Sequence, residues 1–536
     1  MERGEIANAV GAMLQALQAG MLERARTEAQ AILQHSPGEP NANIVLARLN
    51  VDEGNPAEAI LHLRVAQQAI PDHPHVLNML GVAHRQLGNE SEARTSLERA
   101  VALNNSFLDA LLNLGQLGLD YGRLEDAKHQ YASALAIDPE NGVALTGLAR
   151  AQLLSHNYEE ARETAEKAIK QDPGRHLAKL TLAAAQLRLA DFESALKTAG
   201  ALAEEADLSA DDRAYAAGLA ADANDRLGRY DVAYEYYQRA NDLQAEGFFN
   251  LQDADASPFS PKRISSLANH LKQGAQIKAP LCGEEELMPV FLVGFPRSGT
   301  TLLEQVLMSH PRVESFGEHA ALGTTCAELF VANDKYAAFG AMDEAAAASF
   351  RATYWREVDA LGELASGRIF MDKLPLNVVF LPAIAKIFPR AKIVFAMRDP
   401  RDVVVSCFQQ RFGMNVAMSQ LRSIDNAAAY YDHVMGLAMA TRERTDLDLI
   451  EVKYESVVHD LEAEARRVVQ FLGLDWDPAI LAYRDLARVR MIETPSAMQV
   501  VEPIYSRAQG KWQNYENHLA PALSRLDPWI KQFGYA

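Results

Sequence analysis

The chain has 536 residues, 49% of them hydrophobic and 23% charged, a make-up that excludes a disordered or collagen-like protein and leaves room for more than one buried core. Its net charge of −19 is uneven: residues 286–536 hold 26 Lys+Arg against 31 Asp+Glu, which leaves −14 on residues 1–285. That acidic half excludes a binder of duplex nucleic acid, because neutralising phosphates takes clustered cations, and it reads as a solvated surface.

The N-terminal MERGEIANAVGAMLQALQAG carries charges early and has neither the basic start nor the apolar core of a signal peptide. No run in the chain reaches the ~18 apolar residues of a membrane span. Three cysteines, Cys282, Cys326 and Cys407, cannot build a disulfide framework. The expectation is a soluble, cytoplasmic, multidomain protein.

Four series of positions recur every 34 residues in the first half. One is Ala25, Ala59, Ala93, Ala127, Ala161 and Ala195; five residues before each stand Gly20, Gly54, Gly88, Gly122, His156 and Ala190. A third reads Ala47, Gly81, Gly115, Ala149 and Ala183, and a fourth Pro37, Pro71, Asn105, Pro139 and Pro173. Gly228 with Ala233 starts a seventh copy after a slip of four residues. Small residues on facing helices let two backbones approach, a glycine turns the chain between them, and proline ends the second helix. The pattern resembles the tetratricopeptide repeat. It implies an all-α solenoid over residues 1–250 that binds a peptide or protein partner, or serves as a packing scaffold. From Gly247, the stretch GFFNLQDADASPFSPKRISSL is dense in Ser, Pro and Asp. It predicts a connector over 251–285 with one helix near Lys262 to Gln273.

From Pro289 the texture changes. VFLVG (290–294) fits a buried parallel strand, FPRSGTT a loop, and LLEQVLMSH an amphipathic helix ended by Pro311. A strand, a glycine-containing loop and a helix opening on hydroxyls make an anion site. Backbone N–H groups of 297–301 would face a phosphate, with Arg297, Ser298, Gly299, Thr300 and Thr301 supplying the loop and its donors. Gly294 and Gly299 keep the spacing of a triphosphate loop, but Thr300 stands where that loop needs lysine. A single 5′-phosphate needs no such lysine. Further strands are expected at RIFMD (368–372), KIVFAMRD (392–399) and LDLIEVKYE (447–455). Their carboxyl ends bring Lys373, Arg398 and Tyr454 to the edge that holds the phosphate loop. The fold expected for 286–536 is an α/β P-loop-like domain with a central parallel sheet.

These residues resemble the sulfotransferase superfamily, and most closely the protein-tyrosine sulfotransferases, over 289–536. FPRSGTT matches the family's 5′-phosphosulfate loop, and FAMRDPRDVVVSCF its 3′-phosphate element, pairing Arg398 with Ser406. Tyr454 in KYES would face the adenine side. The late loop ETPSAMQVVEPIYSRAQGKW carries Ser496 and Lys511, SFGEH carries the acid Glu318, and MDKLPLN the lysine Lys373. The resemblance implies PAPS (3′-phosphoadenylyl sulfate) as donor, no metal, and a protein tyrosine as acceptor. Glu318 would be the base, Lys373 and Ser496 would stabilise the leaving phosphate oxygen, and Arg398 and Ser406 would anchor the 3′-phosphate. His319 is the rival base and stands where the family carries a second acid. Two other readings stay open on the residues: a nucleotide-dependent kinase, with Asp372 as its tempting magnesium ligand, and a non-enzymatic repeat scaffold.

Overall fold

The computed structural model describes residues 3–246, 255, 257–274, 277–280, 283, 287–331, 342–485 and 509–536. The chain divides into two compact units, Met1–Leu208 and Ser209–Ala536.

The first unit is a helical array: α1 Arg3–Gln18, α2 Leu22–His35, α3 Pro40–Asp52, α4 Pro56–Ala69, α5 Pro74–Gln86, α6 Glu90–Leu103, α7 Leu108–Asp120, α8 Leu124–Ile137, α9 Gly142–Leu154, α10 Tyr158–Gln171, α11 His176–Arg188 and α12 Phe192–Ala203. Each series of the period has its own physical role. The alanines from Ala25 to Ala195 are fully buried, where a larger side chain would hold two helices apart. The second series turns the chain within each pair in left-handed backbone. Its φ runs from 65° to 75° at Gly20, Gly54, Gly88 and Gly122, and is 64° at His156 and 62° at Ala190. The third series marks close approach: a Cβ on Gly115 would lie 2.7 Å from the buried ring of Tyr131. The fourth series follows helix ends, each two residues after His35, Ala69, Leu103, Ile137 and Gln171.

The second unit opens with the seventh copy, α13 Ala210–Arg226 and α14 Tyr230–Ala245, joined at Gly228 with φ 74°. The period thus runs on to residue 245, but this last pair packs with the α/β elements. Asn241 Nδ2 donates to the carbonyls of Phe408 and Arg422, both at 3.0 Å. Ala221, Ala233 and Tyr237 share one apolar core with the sheet. Helix α15, Pro261–Lys272, lies where the connector helix was expected and starts on Ser260, whose hydroxyl accepts from the Arg263 N–H.

Five strands form one parallel sheet in the order β2-β3-β1-β4-β5: β1 Val290–Gly294, β2 Val313–Glu314, β3 Ile369–Lys373, β4 Lys392–Met397 and β5 Asp448–Lys453. Two-residue β2 carries too short an apolar run to announce itself. β1 runs unbroken as buried Val, Phe and Leu because both sheet faces are covered. Phe291, Ile393, Phe395 and Phe370 enter one core, and Leu292, Val394 and Met371 the other. From β1 the chain moves to β2 and β3 on one side, then to β4 and β5 on the other. The ends of β3, β1 and β4 therefore meet at a topological switch point, where open α/β sheets bind ligands.

Candidate functional site

β1 ends on Gly294, where a Cβ would come within 2.5 Å of the Ala396 carbonyl oxygen on β4. Glycine alone fits there. The chain then turns back over residues 295–299 into α16, Thr300–Leu307. Arg297 holds φ 71° and Gly299 φ 94°. A non-glycine residue in left-handed backbone is strained, and such strain gathers where a loop must keep one shape. Thr300 and Thr301 open the helix, both nearly buried. Of the backbone donors expected over 297–301, that of Ser298 is taken inside the loop by the Phe295 carbonyl at 3.2 Å.

Arg398 and Ser406, eight residues apart in sequence, meet this loop. Arg297 Nε donates to Ser406 Oγ at 3.0 Å, and Arg398 Nη1 donates to the Arg297 carbonyl at 3.2 Å. The Arg398 guanidinium lies 4.9 Å from the Tyr454 ring centroid, a cation–π distance. A Cβ on Gly299 would approach that ring to 2.8 Å, so the loop lies flat against Tyr454. Arg297, Gly299, Arg398, Ser406 and Tyr454 thus form one group at the edge of the sheet.

One strand further, β3 carries two ionisable residues on opposite faces, as successive strand residues must be. Lys373 points to the face covered by α16. It is fully buried, and its ammonium lies 2.8 Å from Glu318 Oε1 and 3.1 Å from Glu304 Oε2. Glu304 also accepts from the Ser315 hydroxyl at 2.9 Å, and burial raises its carboxyl above the usual range against the pull of Lys373. Asp372 points to the other face. It too is fully buried, accepting from Tyr354 at 2.9 Å and Asn377 at 3.0 Å, and burial pushes its carboxyl up to about 7. His319 follows Asp372: its Nε2 lies 4.0 Å from Asp372 Oδ1 and its ring stacks on Phe370. Burial, aided by Lys373, lowers its imidazole to about 4. Glu318 and His319 therefore look to different sides, and Glu318 is the one on the cavity.

That cavity has a polar wall of Arg297, Thr300, Thr301 and Glu318 and an apolar wall of Leu374, Pro375, Leu376, Phe412 and Met418. Asp372 is not part of it. Lys511 sits beside the group of Arg398 and Ser406: its ammonium donates to Gln409 at 2.8 Å, one turn beyond Ser406, and lies 3.1 Å from Asp225. Ser496 falls outside the described residues. Cys326 and Cys407 are buried; burial raises both thiols, that of Cys407 to about 12. Reading the sequence missed Glu304 and Asp225. Glu304 lies one helical turn from Thr300, on the face that meets the strand end, which is a legible signal. Asp225 had none, because its partner lies far along the chain.

A lysine-less glycine loop between strand and helix, at the switch point of a parallel sheet, defines the class: an open α/β domain whose ligand edge lies at the ends of β3, β1 and β4. Comparison with known proteins names it more closely. Residues 289–478 match the model of the sulfotransferase family, and residues 16–83, 78–141 and 118–178 match tetratricopeptide-repeat models. The chain therefore carries a sulfotransferase-family domain together with tetratricopeptide repeats. An uncharacterized protein of Aquifex aeolicus (strain VF5) is 26% identical over 321 residues, 56% of this chain and only 40% of that protein's own length. Protein-tyrosine sulfotransferase 1 of Danio rerio is 25% identical over 283 residues, 49% of this chain and 78% of that protein. A solved tetratricopeptide repeat protein from Parabacteroides merdae covers 46% of this chain and 94% of its own, with 16% identity and a TM-score of 0.36.

Proposed function

We propose that the protein is a PAPS-dependent sulfotransferase whose acceptor is a tyrosine hydroxyl of a protein or peptide, recruited by the repeats. The observation that carries this reading is the Glu318 carboxylate on the wall of the cavity that Thr300 and Thr301 also line, 2.8 Å from the buried Lys373 ammonium. The donor set fits PAPS: Arg297, Gly299, Thr300 and Thr301 surround a 5′-phosphate position, and Arg398, Ser406 and Lys511 are gathered for a second phosphate. Bound there, PAPS supplies a sulfonate on a phosphate leaving group. The chain's task is then in-line positioning and charge stabilisation, with no covalent help required.

Glu318 takes the acceptor hydroxyl's proton as the new S–O bond forms. Lys373, with Ser496, stabilises charge on the phosphate oxygen as the old S–O bond breaks, and adenosine 3′,5′-bisphosphate leaves. The apolar wall of Leu374, Leu376, Phe412 and Met418 suits an aromatic ring better than a sugar, whose many hydroxyls it would leave unpaired. A magnesium-dependent kinase is disfavoured, because Asp372 is spent on Tyr354 and Asn377 away from the cavity.

Labelled PAPS and a tyrosine peptide test the reading. Removing the true base lowers kcat by roughly 10²–10⁴ with donor affinity little changed. Glu318→Gln should show that loss and His319→Asn a far smaller one. The reverse ranking in single turnovers would move the role to His319, and no transfer by the parent enzyme to any hydroxyl would end the sulfotransferase reading.

A further inference from the structure

The last helical pair reaches the donor site through one side chain. Asp225, near the end of α13, is 11% exposed. Its Oδ2 lies 3.1 Å from Lys511 Nζ, and its Oδ1 accepts from the Tyr515 hydroxyl at 2.5 Å. Lys511 also donates to Gln409, as described, so two acceptors fix an ammonium that has three N–H donors. Among the described residues no third acceptor meets it, so that N–H can serve an anion. The backbone on either side of Lys511 is held as well: the N–H groups of Gly510 and Trp512 donate to Asp402 at 2.7 and 2.9 Å. Asp402 stands four residues after Arg398 on the same segment. Lys511 is thus clamped between a carboxylate of the α/β domain and one of the repeat-like pair.

The pair is a firm support. Asn241 of α14 caps two carbonyls of the α/β domain, and the Arg411 guanidinium lies 4.1 Å from the Tyr215 ring of α13. A lysine held only by its four-carbon stem would lose rotamer freedom on meeting a ligand. Asp225 removes part of that freedom beforehand.

We propose that Asp225 is a positioning residue of the donor site, which sets 3′-phosphate affinity by holding the Lys511 ammonium; the seventh repeat copy is then part of the enzyme's donor site. This rests on the reading of Lys511 as a donor-phosphate contact. In the D225N variant the amide accepts from only one of the two donors and turns its own N–H groups on the other.

Calorimetric titration of the full chain with adenosine 3′,5′-bisphosphate and with adenosine 5′-monophosphate tests it. D225N should weaken the bisphosphate about tenfold, the scale of a lost hydrogen bond to a charged group, and the monophosphate less than twofold. K511M should do the same, and D225N added to K511M should do nothing more. Unchanged affinity, equal losses for both ligands, or losses that multiply in the double variant would each overturn the proposal. Should D225N not fold, D225E keeps the charge and displaces it, and a loss of about threefold confined to the bisphosphate is expected. There too, no loss or an equal loss for both ligands overturns it. A parent enzyme that binds neither nucleotide would instead fail the donor reading on which the proposal stands.

Discussion

The two units bury different things. Among the described residues of the first, the buried polar side chains are Asn43, Asn78, Thr146, Thr164, Thr181 and Gln186, all uncharged. The second buries Glu304, Arg351, Asp372, Lys373, Lys386, Arg398, Asp399 and Asp402. Taking one ion out of water costs several kcal/mol even after relaxation, so charges stay inside only where partners and chemistry hold them there. The array shows that a fold can be held by apolar packing around small residues and left-handed turns, with no charged side chain buried among its described residues. The sulfotransferase domain shows where the chain gives up such economy: six of these buried charges, all but Arg351 and Lys386, gather at the ends of β3 and β4 and the segments that face them.

The strongest test of that contrast is Lys373→Met. It leaves Glu304 and Glu318 on one site with no cation between them. Breaking a buried pair from one side costs about 3–5 kcal/mol, and under the role proposed for Lys373 the loss of a fixed charge at the leaving oxygen lowers kcat roughly 10²–10³-fold. Urea melts and turnover of labelled PAPS measure the two losses. In the array, Arg85→Ala removes a half-exposed pair with Asp120 at 2.8 Å and should cost below about 1 kcal/mol, with turnover unchanged. Comparable stability losses in the two variants would erase the distinction.

The same contrast explains what could be read from the sequence. The array was legible almost residue by residue, because its contacts are local and repeat: Ala25 to Ala195 are all core, and Gly20 to Ala190 are all left-handed turns. The phosphate loop and four of the five strands were legible for a related reason, since an apolar run and a glycine turn are local signals. β2 has only two residues and carried none. The packing allegiance of α13 and α14 escaped because period records ancestry of form, whereas allegiance depends on Asn241 meeting Phe408 and Arg422 far along the chain. That Glu318 and His319 face different sides follows from a bend at Glu318, outside any strand, which no local pattern announced, and which side held the cavity depended on the parity of β3. One residue's shift there would have exchanged Lys373 with Asp372.

A smaller effect sharpens the picture of the buried charges. Asp372 has its carboxyl raised to about 7, and His319 its imidazole lowered to about 4, each chiefly by burial. Between about pH 4 and 7 the folded protein holds a proton on Asp372 that the unfolded chain releases, so this residue lowers stability as pH rises. Below about pH 6.5 the unfolded chain protonates His319 and the folded one refuses, so this residue lowers stability as pH falls. From pH 5 to 6 the two slopes oppose. D372N should therefore show stability rising over that step, and H319N should show it falling, each by at most about 1.4 kcal/mol. Melts at the two pH values decide it, and slopes of the same sign would mean that the pair does not titrate as its burial dictates.

The smallest effect lies in the array and runs against the usual rule. Replacing alanine with glycine ordinarily destabilises a helical protein by roughly 0.5–1 kcal/mol, because glycine gives up more freedom on folding. Ala190 is the exception, since it occupies the turn position where five other copies have glycine, at φ 62°. Left-handed backbone crowds the Cβ against the following carbonyl at about 1–2 kcal/mol, a strain glycine does not feel. Relief of strain outweighs the entropy of the unfolded chain, and Ala190→Gly should stabilise the array by up to about 1 kcal/mol. The residue lies between α11 and α12, remote in sequence from every donor-site element, so kcat and donor affinity should not move. Urea melts of the full chain, followed by a probe confined to the array, measure the gain. A loss of stability instead would mean that contacts of the Ala190 methyl, and not the period's backbone geometry, hold that turn.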